Sequence, residues 1–126
     1  MSDLPPFELG HPRTELRRQL VNAALRGEKT ATAGLLEQYD AEGEQPEPAG
    51  THSTLLGYDD EPVAVIEVTE SRIVPAEDID EQFARDEGEG YDSVDAWRIA
   101  HERFFARPID AKTKIVAIRF RVVERL

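Results

Sequence analysis

The stretch VAVIEVTES, residues 63–71, decides the fold class. Ala64, Ile66 and Val68 fall on one face of an extended chain; Val63, Val65 and Glu67 fall on the other. A period of two with apolar groups on both faces marks a strand in the middle of a sheet. Pro75 ends its extension. KIVAIRFRVVE, residues 114–124, repeats the pattern, with Val116, Ile118, Phe120 and Val122 alternating with Ala117, Arg119, Arg121 and Val123. Ser53–Tyr58 reads as a third strand, joined to the first by a turn at DDEP, 59–62.

Helical spacing appears on either side of these strands. Leu16, Leu20, Val21, Ala24 and Leu25 recur at helical intervals over 14–26, between a Thr14 N-cap and a Gly27 stop, with the arginines on the wet face. Asp92 or Ser93 caps a second helix whose apolar set is Val94, Trp97, Ala100/His101, Phe104 and Phe105, and Pro108 stops it. Residues 78–87 suit a short helix using Ile79 and Phe83, and Leu35–Tyr39 a helical turn. Residues 40–50 and 86–93 read as loops. The order is helix, short extension, strand, strand, helices, strand. It predicts an α+β fold, with a small, partly closed antiparallel β-barrel and flanking helices. Residues 1–12 read as an irregular N-terminal arm and 13–126 as a single domain.

The chain has 126 residues, 40% apolar and 33% charged, which describes a globular protein with a well-solvated surface. It has no cysteine, which excludes disulfides, thiolate metal sites and cysteine nucleophiles. No apolar run is long enough to span a membrane, and the N-terminal residues lack a signal-peptide pattern, so a cytoplasmic location is expected. The formal charge of −11 argues against broad affinity for nucleic acid. The charge is segregated, however. Residues 13–29 carry five basic and two acidic groups, a balance of +3; residues 98–126 carry eight and three, a balance of +5. Residues 37–95 carry two and 19, a balance of −17. A bipolar protein with a local basic surface is one expectation; arginines on ordinary solvated faces are the other.

Chemistry gathers at GEKTAT, residues 27–32. A threonine is a weak nucleophile and needs a base. A lysine can be that base where its ammonium is disfavoured, and a carboxylate can carry a proton to a leaving amine. Lys29, Thr32 and a glutamate could therefore hydrolyse an amide without metal or cysteine. Alternatively Lys29 grips an anion, or it reaches solvent while the threonines pair at a strand edge. In a regular strand residues 29 and 32 point to opposite faces, so joint action requires a turn at Lys29. His11, His52 and His101 share no metal-ligand spacing, the GEG of 88–90 is no phosphate loop, and no Gly-x-Ser-x-Gly elbow occurs.

GEKTAT after an amphipathic helix, then LLEQYDAEGE, VAVIEVTES and FARDEGEGYDSVDAWRIAHERFF, closely resembles the ASCH domain family in its longer bacterial form. The likeness covers residues 14–123. It implies a PUA-like β-barrel, antiparallel or mixed, with a ligand cleft around Lys29 and a link to RNA, nucleotides or nucleosides. One branch resembles amidohydrolases that deacetylate N4-acetylcytidine, which implies catalytic roles for Lys29, Thr32 and Glu87; that branch lacks the insertion at 35–50. Another member is similar to a divalent-metal-dependent ribonuclease, which implies Lys29 with the hydroxyl of Ser93 or Tyr39. A metal is expected only under that alternative; otherwise no cofactor is. Thr30, Tyr39, Ser93, Arg98 and Arg119 complete the expected ligand-binding set, with Arg98 and Arg119/Arg121 holding anionic groups. Tyr91 and Trp97 are stacking candidates, and Trp97 also suits the core. A non-enzymatic interaction domain is the remaining alternative.

Overall fold

A computed structural model describes residues 4–126 of the chain. Its strands are β1 (Pro6–Phe7), β2 (Ala31–Leu35), β3 (His52–Leu56), β4 (Pro62–Pro75) and β5 (Lys114–Arg125). Its helices are α1 (Glu15–Leu25), α2 (Leu36–Ala41), α3 (Glu81–Asp86) and α4 (Val94–Phe105). The strands form one sheet in the order β1-β3-β4-β5-β2, antiparallel except for the β1/β3 pair. This is an α+β fold around a mixed sheet. The sheet stays open, with β1 at one edge and β2 at the other.

The two long strands carry the architecture. β4 runs well beyond Thr69, because Glu70–Pro75 keep pairing with Lys114–Arg119 of β5. Two register shifts interrupt the β4/β5 ladder, between Val65 and Ile66 and between Val68 and Glu70. Such irregularities bend a long pair and let one sheet serve two cores. Val116, Ile118 and Phe120 point into the first core, with Ile66, Val68 and the Leu20, Val21 and Ala24 stripe of α1. Ile115 and Ala117 point into the second, with Phe83 and Ala84 of α3 and Trp97 of α4.

The caps explain where the helices begin. The Thr14 hydroxyl accepts from Arg17 N at 3.2 Å, and Ser93 Oγ accepts from Ala96 N at 3.1 Å. α1 ends before Gly27, whose φ of +80° favours glycine, and α4 ends on left-handed Ala106, two residues ahead of Pro108.

Three expectations are corrected. The arm is not irregular throughout: Phe7 pairs with Leu55, and its ring lies 5.1 Å from that of Phe120. Arg17 is not on a wet face. It is fully buried, and its guanidinium donates to Gly57 O, Gly10 O and Asp60 Oδ1 at 3.2, 2.9 and 2.5 Å, which ties α1 to the arm and to the β3–β4 turn. Nor does the basic C-terminal segment keep all its cations unpaired. Antiparallel pairing sets Arg121 opposite Glu67 and Arg119 opposite Glu70, while Arg107 pairs with Glu37 and Lys112 with Glu77. Two of these pairs lie across the β4/β5 ladder, and all four set cations of the C-terminal segment against acids of the middle segment.

Candidate functional site

Lys29 stands where α1 hands over to β2. The amides of Glu28 and Lys29 both donate to Ala23 O, at 2.9 and 3.1 Å, so the chain is still winding off the helix at Lys29. The strand begins only at Ala31. Within it Ala31 and Leu35 are fully buried in the second core, while Thr32 and Gly34 face the opposite side. Strict alternation would send Lys29 with Ala31. The helical exit turns it, and both Lys29 and Thr32 line one cleft of about 420 Å³.

Glu87 meets Lys29 from the end of α3. Gly88 follows with φ of +70°, and a Cβ there would lie 2.5 Å from Glu28 O and 2.8 Å from Lys29 Cα. Only glycine allows that backbone approach. Lys29 Nζ then donates to Glu87 O at 3.1 Å, Glu87 Oε1 at 3.4 Å and Glu89 Oε2 at 3.2 Å. An ammonium has three donors, and all three are engaged.

Glu87 is 1% exposed and holds the centre of the network. Its Oε2 accepts from Trp97 Nε1 and lies 3.3 Å from His101 Nε2. His101 Nδ1 lies 2.7 Å from Trp97 O. That carbonyl can only accept, so Nδ1 carries a proton; a carboxylate at Nε2 then calls for a second proton, making the ring an imidazolium. Burial pushes the Glu87 carboxyl up, but the hydrogen bond and charge of His101, with Lys29 and Trp97, outweigh it and hold the group below its ordinary range. Burial pushes His101 down, and Glu87 more than reverses this, leaving it raised.

The walls of the cleft are aromatic. Tyr39, Tyr91, Phe104 and Phe105 line it. Tyr39 OH donates to Glu47 Oε1 and Tyr91 OH to Glu89 Oε1, each at 3.1 Å. Burial, with a glutamate beside each, pushes both phenols up. Gly34 makes room for Tyr39, since a Cβ there would lie 3.1 Å from the ring.

The structure thus brings Lys29, Thr32, Glu87 and Tyr39 to one cavity. It places the other candidates elsewhere. Thr30 N donates to Asp86 O at 2.7 Å and its hydroxyl to the same oxygen at 3.5 Å, securing the α3 end against β2. Ser93 caps α4. Arg98 is exposed beside Asp95. Arg119 pairs with Asp86 at 2.5 Å and lies over the Phe83 ring. Trp97 is fully buried, so its stacking partner is His101, with centroids 4.3 Å apart, rather than a ligand.

Sequence reasoning missed His101, Glu89 and Glu47 as cleft residues. For His101 the signal was present: it sits four residues after Trp97 on the buried face of α4, where a histidine needs a polar partner. Among the described residues, no three acidic or histidine side chains are grouped to hold a metal ion.

Comparison with known proteins agrees with this architecture. The family model described as ASCH domain matches residues 9–124. A crystal structure of a protein from Enterococcus faecalis V583, placed in family DUF984, superposes with a TM-score of 0.86 at 29% identity, covering 99% of this chain and 79% of that one. An ASCH domain from Lactobacillus crispatus JV V101 superposes with a TM-score of 0.82 at 26% identity, covering 96% and 80%. No curated protein matches the sequence significantly. With its model match spanning nearly the whole chain, the protein belongs to the ASCH domain family.

Proposed function

We propose that this ASCH domain binds the base and ribose of a nucleoside, free or as an unpaired residue of RNA, in the Lys29 cleft. The observation that carries the reading is the cavity itself. Its volume of about 420 Å³ is in the range of small-ligand sites, and aromatic side walls stand over a polar floor. Flat faces for stacking, with a few fixed hydrogen-bonding groups, are what recognition of a single base requires. The link between ASCH domains and RNA supports the same ligand class.

Titration with cytidine, N4-acetylcytidine and a short single-stranded RNA, followed by amide and indole NMR shifts, tests this. Shifts should cluster at Thr32, Tyr91 and His101 and disappear in Lys29→Met. Absence of cleft shifts with all three ligands refutes the reading.

One observation favours a hydrolytic second reading. Among the described residues the Thr32 hydroxyl, which lines the cleft, has no hydrogen-bond partner. In that reading Lys29, having given a proton to Glu89, takes the Thr32 hydroxyl proton as Oγ1 bonds to the acyl carbon; that proton passes by way of Glu87 to the nitrogen as the C–N bond breaks, and water then cleaves the Thr32 ester, releasing the acid and restoring the hydroxyl. Release of cytidine from N4-acetylcytidine that is abolished by Thr32→Ala would support it; undiminished turnover in that variant would refute it.

A further inference from the structure

The cleft is acidic, and its cations are already spent. Glu8, Glu47, Glu87 and Glu89 line it, against Lys29 and His101. All three Lys29 donors go to Glu87 and Glu89. Both His101 nitrogens go to Trp97 O and Glu87. No arginine is among the lining residues. A phosphate inside would therefore meet carboxylates without a free cationic donor.

Glu47 differs from the other acids in how it is held. It lies between Pro46 and Pro48, whose rings fix the backbone on both sides. The loop is anchored behind it by Gly50 N to Val68 O at 2.7 Å and Val68 N to Thr51 O at 2.8 Å, and ahead of it by Glu44 N to Tyr39 O at 2.9 Å. Tyr39, admitted by Gly34, fixes Oε1. Among the described residues Oε2 has no partner. A rigid, half-buried carboxylate with one oxygen spare is an acceptor suited to a ligand N–H or O–H.

We propose that Glu47 is a specificity residue of this cleft: its spare oxygen accepts a hydrogen bond from a nucleoside, and its charge, which no cation pairs among the described residues, excludes the phosphate of a nucleotide from the cavity. The proposal rests on the nucleoside reading above and narrows it. The ligand is a phosphate-free nucleoside, or in RNA a base whose phosphates stay outside the mouth.

Calorimetric titration of the full chain with cytidine and with cytidine 5′-monophosphate tests it, on wild type and on Glu47→Leu, Glu47→Lys and Tyr39→Phe. Wild type should bind cytidine about tenfold or more tightly than the nucleotide. Glu47→Leu should lose about tenfold in cytidine affinity, the equivalent of one charge-assisted hydrogen bond. Glu47→Lys should narrow or reverse the preference, and Tyr39→Phe should weaken cytidine binding to a smaller extent. Equal wild-type affinity for the two ligands overturns the proposal. Cytidine binding that the Glu47 variants leave unchanged overturns the assignment to Glu47 while the cleft reading stands. Wild type that binds neither ligand overturns both.

Discussion

The Glu87 network yields the sharpest quantitative test. Glu87→Leu keeps side-chain bulk but removes the acceptor shared by Trp97, His101 and Lys29. Lys29 retains Glu87 O and Glu89, and His101 can shed its Nε2 proton, so neither is left wholly uncompensated. The indole N–H has no such escape, because Trp97 is 0% exposed. A stranded buried donor costs about 1–3 kcal/mol, and breaking a buried ion pair from one side about 3–5 kcal/mol. With these partial compensations, about 3–5 kcal/mol in all is expected. An unfolding entropy near 2.1 cal/mol/K per residue, over 126 residues, is about 0.26 kcal/mol/K, so the melting temperature should fall by about 11–19 °C. Glu87→Gln keeps an acceptor for the indole and should lose roughly half as much. Both variants should also lower the His101 titration midpoint, since burial alone pushes the ring down. Urea unfolding gives the first quantity and histidine NMR titration the second. A Glu87→Gln protein within about 0.5 kcal/mol of wild type, with the His101 midpoint unmoved, would refute the network as described.

The same pair sets a pH window. The lowered Glu87 contributes stability above its ordinary 4.5, lost as pH falls through its folded value; the raised His101 contributes fully below 6.5, lost as pH rises through its folded value. The stability difference between wild type and His101→Phe should therefore be greatest from about pH 4.5 to 6.5 and shrink toward pH 9, and a flat difference in urea midpoints across that span counts against it. Gly88→Ala should cost at least about 2 kcal/mol, from its left-handed φ and its contact with Glu28 O, and should shift Lys29 and Thr32 resonances together. Ser93→Ala should cost about 1 kcal/mol, the usual loss for an N-cap, without changing nucleoside affinity by calorimetry. A loss of affinity in that folded variant would return Ser93 to the site.

Where periodicity was long, the chain was legible. β5 and α4 lie within a residue or two of the sequence reading, because each has a buried face marked by large apolar groups at the right interval. β2 was not assignable from ATAGL. Its small residues have no period of their own; β5 and the aromatic ring over Gly34 define it. The far half of β4 has a weaker period, with Glu70, Ser71 and Arg72 in succession, but its end was legible in Pro75, and pairing with β5 carries the strand that far. Buried Arg17 shows the complementary limit: its acceptors come from segments 7–43 residues away, so local pattern could only class it as a surface arginine.

The site was half legible for a reason that bears on how it works. Lys29, Thr32 and Glu87 were found through motif resemblance, but their convergence rests on two glycine-dependent backbone events. Gly27 ends α1, and the chain is still unwinding when it reaches Lys29, which therefore escapes the strand alternation that would have hidden it in the second core. Gly88 lets the α3 end lie directly on Glu28 and Lys29, so Glu87 reaches the lysine from a segment 58 residues away. Neither event is a property of the charged residues themselves. Once they occur, the opposing charges neutralise each other inside the protein, and the cleft presents carboxylates, aromatic faces and the Thr32 hydroxyl to whatever enters. A lysine that looks from sequence like an anion grip becomes the fixed support for two glutamates. Under the nucleoside proposal, recognition then falls to hydrogen-bond donors of the ligand rather than to its phosphate.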